Sequence, residues 1–394
     1  MLNFDYHIPT RLIFGKDSQQ QVGSVLAPHA KKILLHYGGQ SIKKSGLYDE
    51  IVASLNEAGI AFVELGGVVP NPRLSLVHKG IELCRKEGVD LILAVGGGSV
   101  IDSAKAIALG FYYDGDVWDL FEHYAPRDCA LPVATMLTIP AAGSEASNGM
   151  VITNEEKQMK LAYGAQCLRP LVSFINPEHF FTLPKNQIAN GIADMISHIF
   201  ERYFTNTLHT DLTDALCEAT LRTIMKNALI LAKDPHNYDA WFEVGFGGTV
   251  AHMDLLGLGR AQDWACHTME HELSAIYDVA HGAGLAVLTP GWMQYVYKTN
   301  TPMFVQFAVN VMGVDQSFRD PDAIVTEGIS RLREFYAKMG LPASLKDIGI
   351  GEDQLETMAK KATGIAYGHE ERFVGGLKKL LWQDVLAIYQ LVKA

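Results

Sequence analysis

Residues 89–109, VDLILAVGGGSVIDSAKAIAL, restrict the folds open to this 394-residue chain more than any other stretch. A short apolar run stops at three consecutive glycines, and apolar residues then recur at helical spacing. The pattern is strand, glycine turn, helix. The same alternation precedes it. KKILLHY (31–37) stops at Gly38 and Gly39, LYDEIVASLNEAGI (47–60) has helical spacing, AFVELGG (61–67) reads as a second strand, and PNPRLSLVHKGIELCRKEG (70–88) is helical beyond its prolines. Strands alternating with helices specify βαβ units, hence a parallel sheet covered by helices, with ligands beyond the C-terminal ends of the strands. The strand signal fades from about residue 184. An α/β dinucleotide-binding domain with a parallel sheet is therefore expected over 1–183, and an all-helical domain over 184–394. Two domains also suit a length beyond that of one ordinary core.

Gly96, Gly97 and Gly98 let the backbone turn tightly and approach a ligand, and Ser99 can cap the helix that follows, whose N-terminal N–H groups attract phosphate. The G-x-G-x-x-G fingerprint fails, because Ile101 stands where its third glycine belongs. The turn is thus a pyrophosphate candidate by its position after a strand. At the end of KKILLHY, a fold that prefers NAD(H) often places a carboxylate against the ribose 2′-hydroxyl. No acid occurs between Lys31 and Tyr48. Gly39 and Ser41 leave room there, and Lys43 or Lys44 can neutralise a 2′-phosphate, so NADP(H) is the expected cofactor and NAD(H) the alternative. The rival reading makes both lysines a solvated helix start.

The helical half contains a metal-ligand pattern. In LPKNQIANGIADMISHIFERYFT (183–205), Asp194 and His198 are four apart and share a helical face. CHTMEHELSAIYDVAHGAG (266–284) carries His267 and His271 four apart, then His281 beside a glycine pair expected to end that helix. A carboxylate and imidazoles on buried helices need partners, either in an internal Asp–His hydrogen bond or on a cation. One carboxylate with three imidazoles suits Fe²⁺ or Zn²⁺, whereas Mg²⁺ or Ca²⁺ requires more oxygens. Cys266 reads as a packing residue.

A formal net charge of −11 argues against a nucleic-acid partner. No apolar run approaches the roughly 20 residues of a membrane span, and the N-terminal sequence has no secretory pattern, so a cytoplasmic protein is expected. Five dispersed cysteines without a C-x-x-C pair read as reduced thiols.

LILAVGGGSVIDSAKAIAL, TIPAAGSEASNGMVIT, TLPKNQIANGIADMISHIFE and HTMEHELSAIYDVAHGAGLAVLTPGWM together resemble the iron-containing (group III) alcohol dehydrogenases, in their butanol dehydrogenase and broad-range aldehyde reductase branch. The likeness runs from about residue 4 to the C-terminus. It implies that Asp194, His198, His267 and His281 bind the metal, and that His271 acts beside the nicotinamide and substrate. It also implies that Gly97, Gly98 and Ser99 hold the pyrophosphate, that Asp102 and Thr138 line the nicotinamide side, and that Ser144 and Lys160 surround the cofactor's inner half. Asn71 and Leu183 match less distinctive cofactor positions. The implied activity is NAD(P)H-linked interconversion of small primary alcohols and aldehydes such as butanol and butanal, in a homodimer with the cofactor in the cleft between domains. Rival readings are a polyol- or phosphate-substrate dehydrogenase on the same scaffold, or a metal- and nucleotide-binding protein without turnover. SAIYDVAHGAGLAV is nearly free of Lys and Arg, which favours an uncharged aldehyde.

Overall fold

All seven residues from Leu91 to Gly97 are buried, as a strand covered on both faces must be. In the computed structural model, which describes residues 1–317, 320–367 and 370–394, this strand lies inside a six-stranded parallel sheet. The strands are β1 (Arg11–Phe14), β2 (Lys32–Tyr37), β3 (Ala61–Leu65), β4 (Leu91–Gly97), β5 (Val133–Ile139), a separate antiparallel hairpin of β6 (Gly149–Asn154) and β7 (Met159–Gly164), and β8 (Val172–Ile175). Helices α1 (Val22–Leu26), α2 (Ser41–Lys44), α3 (Leu47–Glu57), α4 (Leu74–Glu87), α5 (Gly98–Phe111) and α6 (Val117–His123) connect them. The spatial order is β1-β8-β5-β4-β2-β3. The chain extends the sheet one way from β2 to β3 and the other way from β4 onward, so the order reverses between β2 and β4. Ligands of open α/β sheets bind at such a reversal.

Alternate residues of the central strands form one core face: Ile33 and Leu35, Leu91 and Leu93, Ala134 and Met136, Val172 and Phe174, packed with Val22 and Leu26 of α1 and Ile51 and Leu55 of α3. Burying each large aliphatic side chain contributes about 1.5–3 kcal/mol. The opposite face carries His36, which is fully buried. Its Nδ1–H donates to the Leu65 carbonyl at 2.8 Å, and its Nε2 accepts from Ser103 of α5 at 2.9 Å. The sequence reading identified β2, β3 and β4 but not β1, β5, β8 or the β6–β7 hairpin. β1 is a four-residue edge strand, too short for a clear period.

The chain divides into two compact units, His7–Thr182 and a second made of Leu183–Ala394 with Met1–Tyr6. The second unit contains α7 (Lys185–Tyr203), α8 (Asp211–Leu231), α9 (Tyr238–His252), α10 (Ala265–Tyr277), α11 (His281–Val296), α12 (Thr301–Asn310), α13 (Pro321–Lys338), α14 (Leu355–Ala362) and α15 (Trp382–Leu391). Among the described residues of this unit the only β pairing is an isolated bridge between Val374 and Leu380. Pro184 precedes α7 in extended conformation, where proline's missing donor costs nothing. Nearly every residue of α7 from Ile188 onward is buried, because α8, α9, α10 and α11 all pack on it. No helix among the described residues is long and apolar enough to cross a membrane.

The glycine pair after His281 does not end a helix. α10 stops at Tyr277, with Asp278 in the left-handed region (φ 53°), and His281 opens α11, which contains Gly282 and Gly284. These glycines serve close packing. A Cβ on Gly282 would lie 2.0 Å from the Asn190 carbonyl oxygen of α7, and one on Gly284 would lie 2.8 Å from Glu270 Cγ of α10.

Candidate metal centre and nucleotide turn

Asn190 is one helical turn before Asp194, so the contact at Gly282 brings the start of α11 against the carboxylate of α7. His281 Nε2 lies 3.8 Å from Asp194 Oδ1, and His267 Nε2, from the first turn of α10, lies 3.8 Å from the same oxygen. These three ligand atoms lie within 4.8 Å of one another. Asp194 Oδ1 and His267 Nε2 are buried without a hydrogen-bond partner. Buried polar atoms are rarely left so, and two orphaned atoms facing each other beyond hydrogen-bond reach fit an ion between them. Imidazole and carboxylate are the donors expected of a borderline divalent ion.

His198 is adjacent, its ring centroid 4.5 Å from that of His267. Its Nδ1 stands 3.1 Å from both the side-chain Oδ1 and the backbone carbonyl of Asp194. The structure thus brings three of the four expected ligands together as convergent atoms, while His198 Nδ1–H donates to the backbone carbonyl of Asp194. Burial pushes the Asp194 carboxyl up, but His198, His267 and His281 together draw it well below the usual range. Burial lowers His198 to about 4. It lowers His267 too, yet Asp194 and Glu201 hold that imidazole up at about 9.

Two carboxylates absent from the sequence reading orient the candidate ligands His267 and His281. Glu201 Oε1 accepts from both the backbone N–H of His267, at 2.9 Å, and its Nδ1–H, at 2.8 Å. It satisfies an orphan donor of α10 and leaves Nε2 facing Asp194. Glu270 Oε2 accepts from His281 Nδ1–H and leaves its Nε2 facing the same way. Imidazoles that bind metal are characteristically fixed by such acceptors. The signal was present: His198-x-x-Glu201 and His267-x-x-Glu270 put each acid one turn beyond a histidine. His271, half-buried, has its ring 5.8 Å from that of His281. Cys266 is buried, consistent with packing.

The basic groups around these residues are committed. Arg202 is 1% exposed and donates to the His198 carbonyl at 2.8 Å, with His252 and Asp254 also beside it. Lys361 pairs with Glu272 at 3.2 Å.

In the α/β unit, Gly97 ends β4 and Gly98 begins α5. Cβ atoms on Gly96, Gly97 and Gly98 would lie 2.4 Å from Val100 Cγ2, 2.8 Å from Ile139 Cβ and 2.9 Å from Ala142 Cβ, so bare backbone is required by packing as well as by any ligand. Gly97, with no side-chain cap, is the N-cap of α5. Ser99 therefore lies inside the first turn instead of capping it, because the helix starts two residues earlier than expected. A Cβ on Gly38 would lie 3.8 Å from Val100 Cγ2, which puts the turn after β2, with exposed Gly39 and Ser41, beside this helix start.

The other nucleotide candidates come together in pairs. Ser144 Oγ donates to Asp102 Oδ1 at 2.6 Å, and the Val151 N–H donates to Asp102 Oδ2 at 2.9 Å. Lys160 Nζ donates to Asn71 Oδ1 at 3.0 Å, with Asn71 held in the left-handed region (φ 54°). Thr138 is near the C-terminal end of β5. Leu183 belongs to the helical unit. The sequence reading missed Lys105, a fully buried lysine in the apolar stripe of α5. It donates to the carbonyls of Ser144 (2.7 Å), Ser147 (2.9 Å) and Gly149 (2.9 Å), and so fixes the loop that carries Ser144.

Residues 9–177 match the family model described as iron-containing alcohol dehydrogenase, and residues 188–391 match that for the C-terminal part of the Fe-containing alcohol dehydrogenase family. NADH-dependent butanol dehydrogenase A of Clostridium acetobutylicum is 44% identical over 391 residues, covering 99% of both chains. The NADPH-dependent aldehyde reductase of Escherichia coli is 32% identical, over 92% of this chain and 93% of the other. Among solved structures, the NADH-dependent butanol dehydrogenase A of Thermotoga maritima superposes with a TM-score of 0.96 at 40% identity, covering 100% of this chain and 99% of the other.

Proposed function

The chain belongs to the iron-containing alcohol dehydrogenase family and is an NAD(P)H-linked alcohol dehydrogenase; from that premise we propose that it interconverts small, uncharged primary alcohols and aldehydes, such as butanol and butanal, at a divalent-metal site. The observation that carries the reading is the pair of orphaned buried atoms, Asp194 Oδ1 and His267 Nε2, with His281 Nε2 converging on the same point. We assign Asp194, His267 and His281 as ligands, with His198 as the fourth, its Nδ1–H held by the Asp194 backbone carbonyl. The set suits Fe²⁺ or Zn²⁺, and because affinity at such sites rises from Fe²⁺ to Zn²⁺, supply decides which is bound.

When bound, the ion supplies Lewis acidity toward the substrate oxygen, and the nicotinamide gives or takes the hydride. Glu201 and Glu270 keep the two imidazoles aimed at the ion. His271 delivers a proton to the substrate oxygen in reduction and removes it in oxidation, a task suited to an imidazole whose ordinary pKa is about 6.5. Gly97, Gly98 and Ser99 hold the pyrophosphate at the start of α5, and Gly39 and Ser41 meet the adenosine ribose. Asn71, Asp102, Thr138, Ser144, Lys160 and Leu183 complete the nucleotide contacts. With Arg202 and Lys361 both committed, neither is available to recognise a substrate phosphate, which favours uncharged aldehydes over phosphorylated polyols.

The test is kcat/KM for a panel of aldehydes with NADH and NADPH, on protein stripped of metal and reloaded with Fe²⁺ or Zn²⁺, beside the metal content of two variants. His267→Ala should lose both metal and turnover. His271→Ala should keep its metal and turn over at least about 100-fold more slowly. If both variants retain metal, the division of roles is wrong. If the reloaded parent reduces no uncharged aldehyde, the substrate class is wrong.

A further inference from the structure

Glu64 is the penultimate residue of β3, at the C-terminal edge of the sheet, and nothing in its own segment marks it out. β2 and β3 pair in parallel with Leu35 opposite Glu64, so the Glu64 side chain emerges beside the end of β2. Three groups, one from the last residue of β2 and two from the helices that follow it, converge on it. Tyr37 Oη donates to Glu64 Oε2 at 2.8 Å, Tyr48 Oη donates to Oε1 at 2.6 Å, and Lys43 Nζ donates to Oε2 at 3.3 Å. The Lys43 ammonium also lies 4.4 Å from the Tyr48 ring centroid and 5.2 Å from that of Tyr37. The cage is built tightly. A Cβ on Gly66 would lie 2.6 Å from Tyr37 Cε2, so only glycine lets that ring lie against the end of β3.

Lys43 is two residues past Ser41 in the short helix α2. It is one of the two cations on which an expected preference for NADP(H) rests, and it is held by a carboxylate and two aromatic faces. The acid that NAD(H)-preferring folds place after this strand is absent from residues 31–48. Glu64 brings one to the same corner from the neighbouring strand.

Resting on the nucleotide site assigned above, we infer that Glu64, with Tyr37 and Tyr48, disfavours the 2′-phosphate by sequestering Lys43 and by setting a negative charge beside the Ser41 turn, so that the chain prefers NADH to NADPH. Glu64 is then a specificity-determining residue that acts through Lys43. Removing its charge releases the lysine and removes a repulsion, and both changes favour the phosphorylated nucleotide.

The experiment measures dissociation constants for NADPH and NADH by nucleotide fluorescence, at low ionic strength, in the parent, Glu64→Gln, Lys43→Met and the double variant. Circular dichroism confirms the fold of each. The parent should bind NADH more tightly. Glu64→Gln should shift the ratio toward NADPH by roughly tenfold, and the shift should shrink as salt is added. Lys43→Met in the Glu64→Gln background should remove most of the gain, whereas Lys43→Met alone should leave the parental ratio nearly in place. A parent that prefers NADPH, an unmoved ratio in Glu64→Gln, or a loss of NADPH binding in Lys43→Met alone overturns the inference. Because the readout is binding, a protein that discriminates nucleotides in this way yet reduces no aldehyde refutes the proposed activity and leaves the role of Glu64 standing.

Discussion

Replacing Gly282 by alanine tests whether helix packing places His281, the proposed metal ligand next to it. In an open helix the change would stabilise the protein by roughly 0.5–1 kcal/mol, since alanine is the better helix former. Here the added methyl would lie 2.0 Å from the Asn190 carbonyl oxygen, 2.6 Å from its carbon and 2.8 Å from its Cα. These are backbone atoms of α7 and cannot rotate away. Ordinary contacts begin near roughly 3.5 Å, so α11 must retreat from α7 by about 1.5 Å. Overpacking of this kind costs about 1–3 kcal/mol, so Gly282→Ala should lower the stability of the metal-free protein, opposite in sign to the propensity effect. His281 rides on the same turn. A retreat of about 1.5 Å is several times the ~0.2 Å latitude of a metal–ligand bond, so metal affinity should fall at least about 100-fold and approach that of His281→Ala. Urea denaturation of the metal-free protein measures the first effect, and competition against a chromophoric chelator measures the second. A variant that is more stable than the parent and binds metal with parental affinity would show that the approach of α11 to α7 does not position His281.

Two further perturbations probe the α/β unit. Burial holds His36 down at about 4, against its hydrogen bond to Leu65, so the folded state resists protonation while the unfolded chain accepts a proton near the ordinary 6.5. The stability contributed by neutral His36 is therefore full above pH 6.5 and is lost as pH falls toward 4, by on the order of 3 kcal/mol; urea denaturation at pH 7.5, 5.5 and 4.5 should show a steeper loss in the parent than in His36→Asn, and equal slopes would discount the effect. Lys105→Met strips the donor from the carbonyls of Ser144, Ser147 and Gly149. It should cost about 3 kcal/mol or more and weaken nucleotide binding severalfold while leaving metal affinity unchanged; a stability loss with nucleotide binding intact would confine Lys105 to a structural role.

What could be read from the chain alone follows from how far apart the interacting residues are in sequence. The parallel sheet was legible because each strand-to-helix unit is local, and β4 carries its own burial, turn and helix start in one stretch. The candidate ligands were legible only in part: spacing of four marked Asp194 with His198 and His267 with His271, whereas the choice of His281 over His271 came from the family resemblance. Glu201 and Glu270 obey the same local rule at spacing three but pass for ordinary helix acids, since only the fold shows that Glu201 on α7 faces His267 on α10. Lys105 was hidden similarly, as its three carbonyls come from a loop about 40 residues on. Gly282 was misread for a related reason: glycine marks helix ends and close helix contacts equally well, and the sequence does not say that Asn190 is opposite. Glu64 is furthest from sight, because its relation to Lys43 depends on the register between β2 and β3, and a slip of one residue would turn it to the other face. The proposed metal centre draws in part on helical periodicity, which a sequence displays, whereas the proposed control of cofactor choice draws on strand register, which appears only when the sheet is assembled.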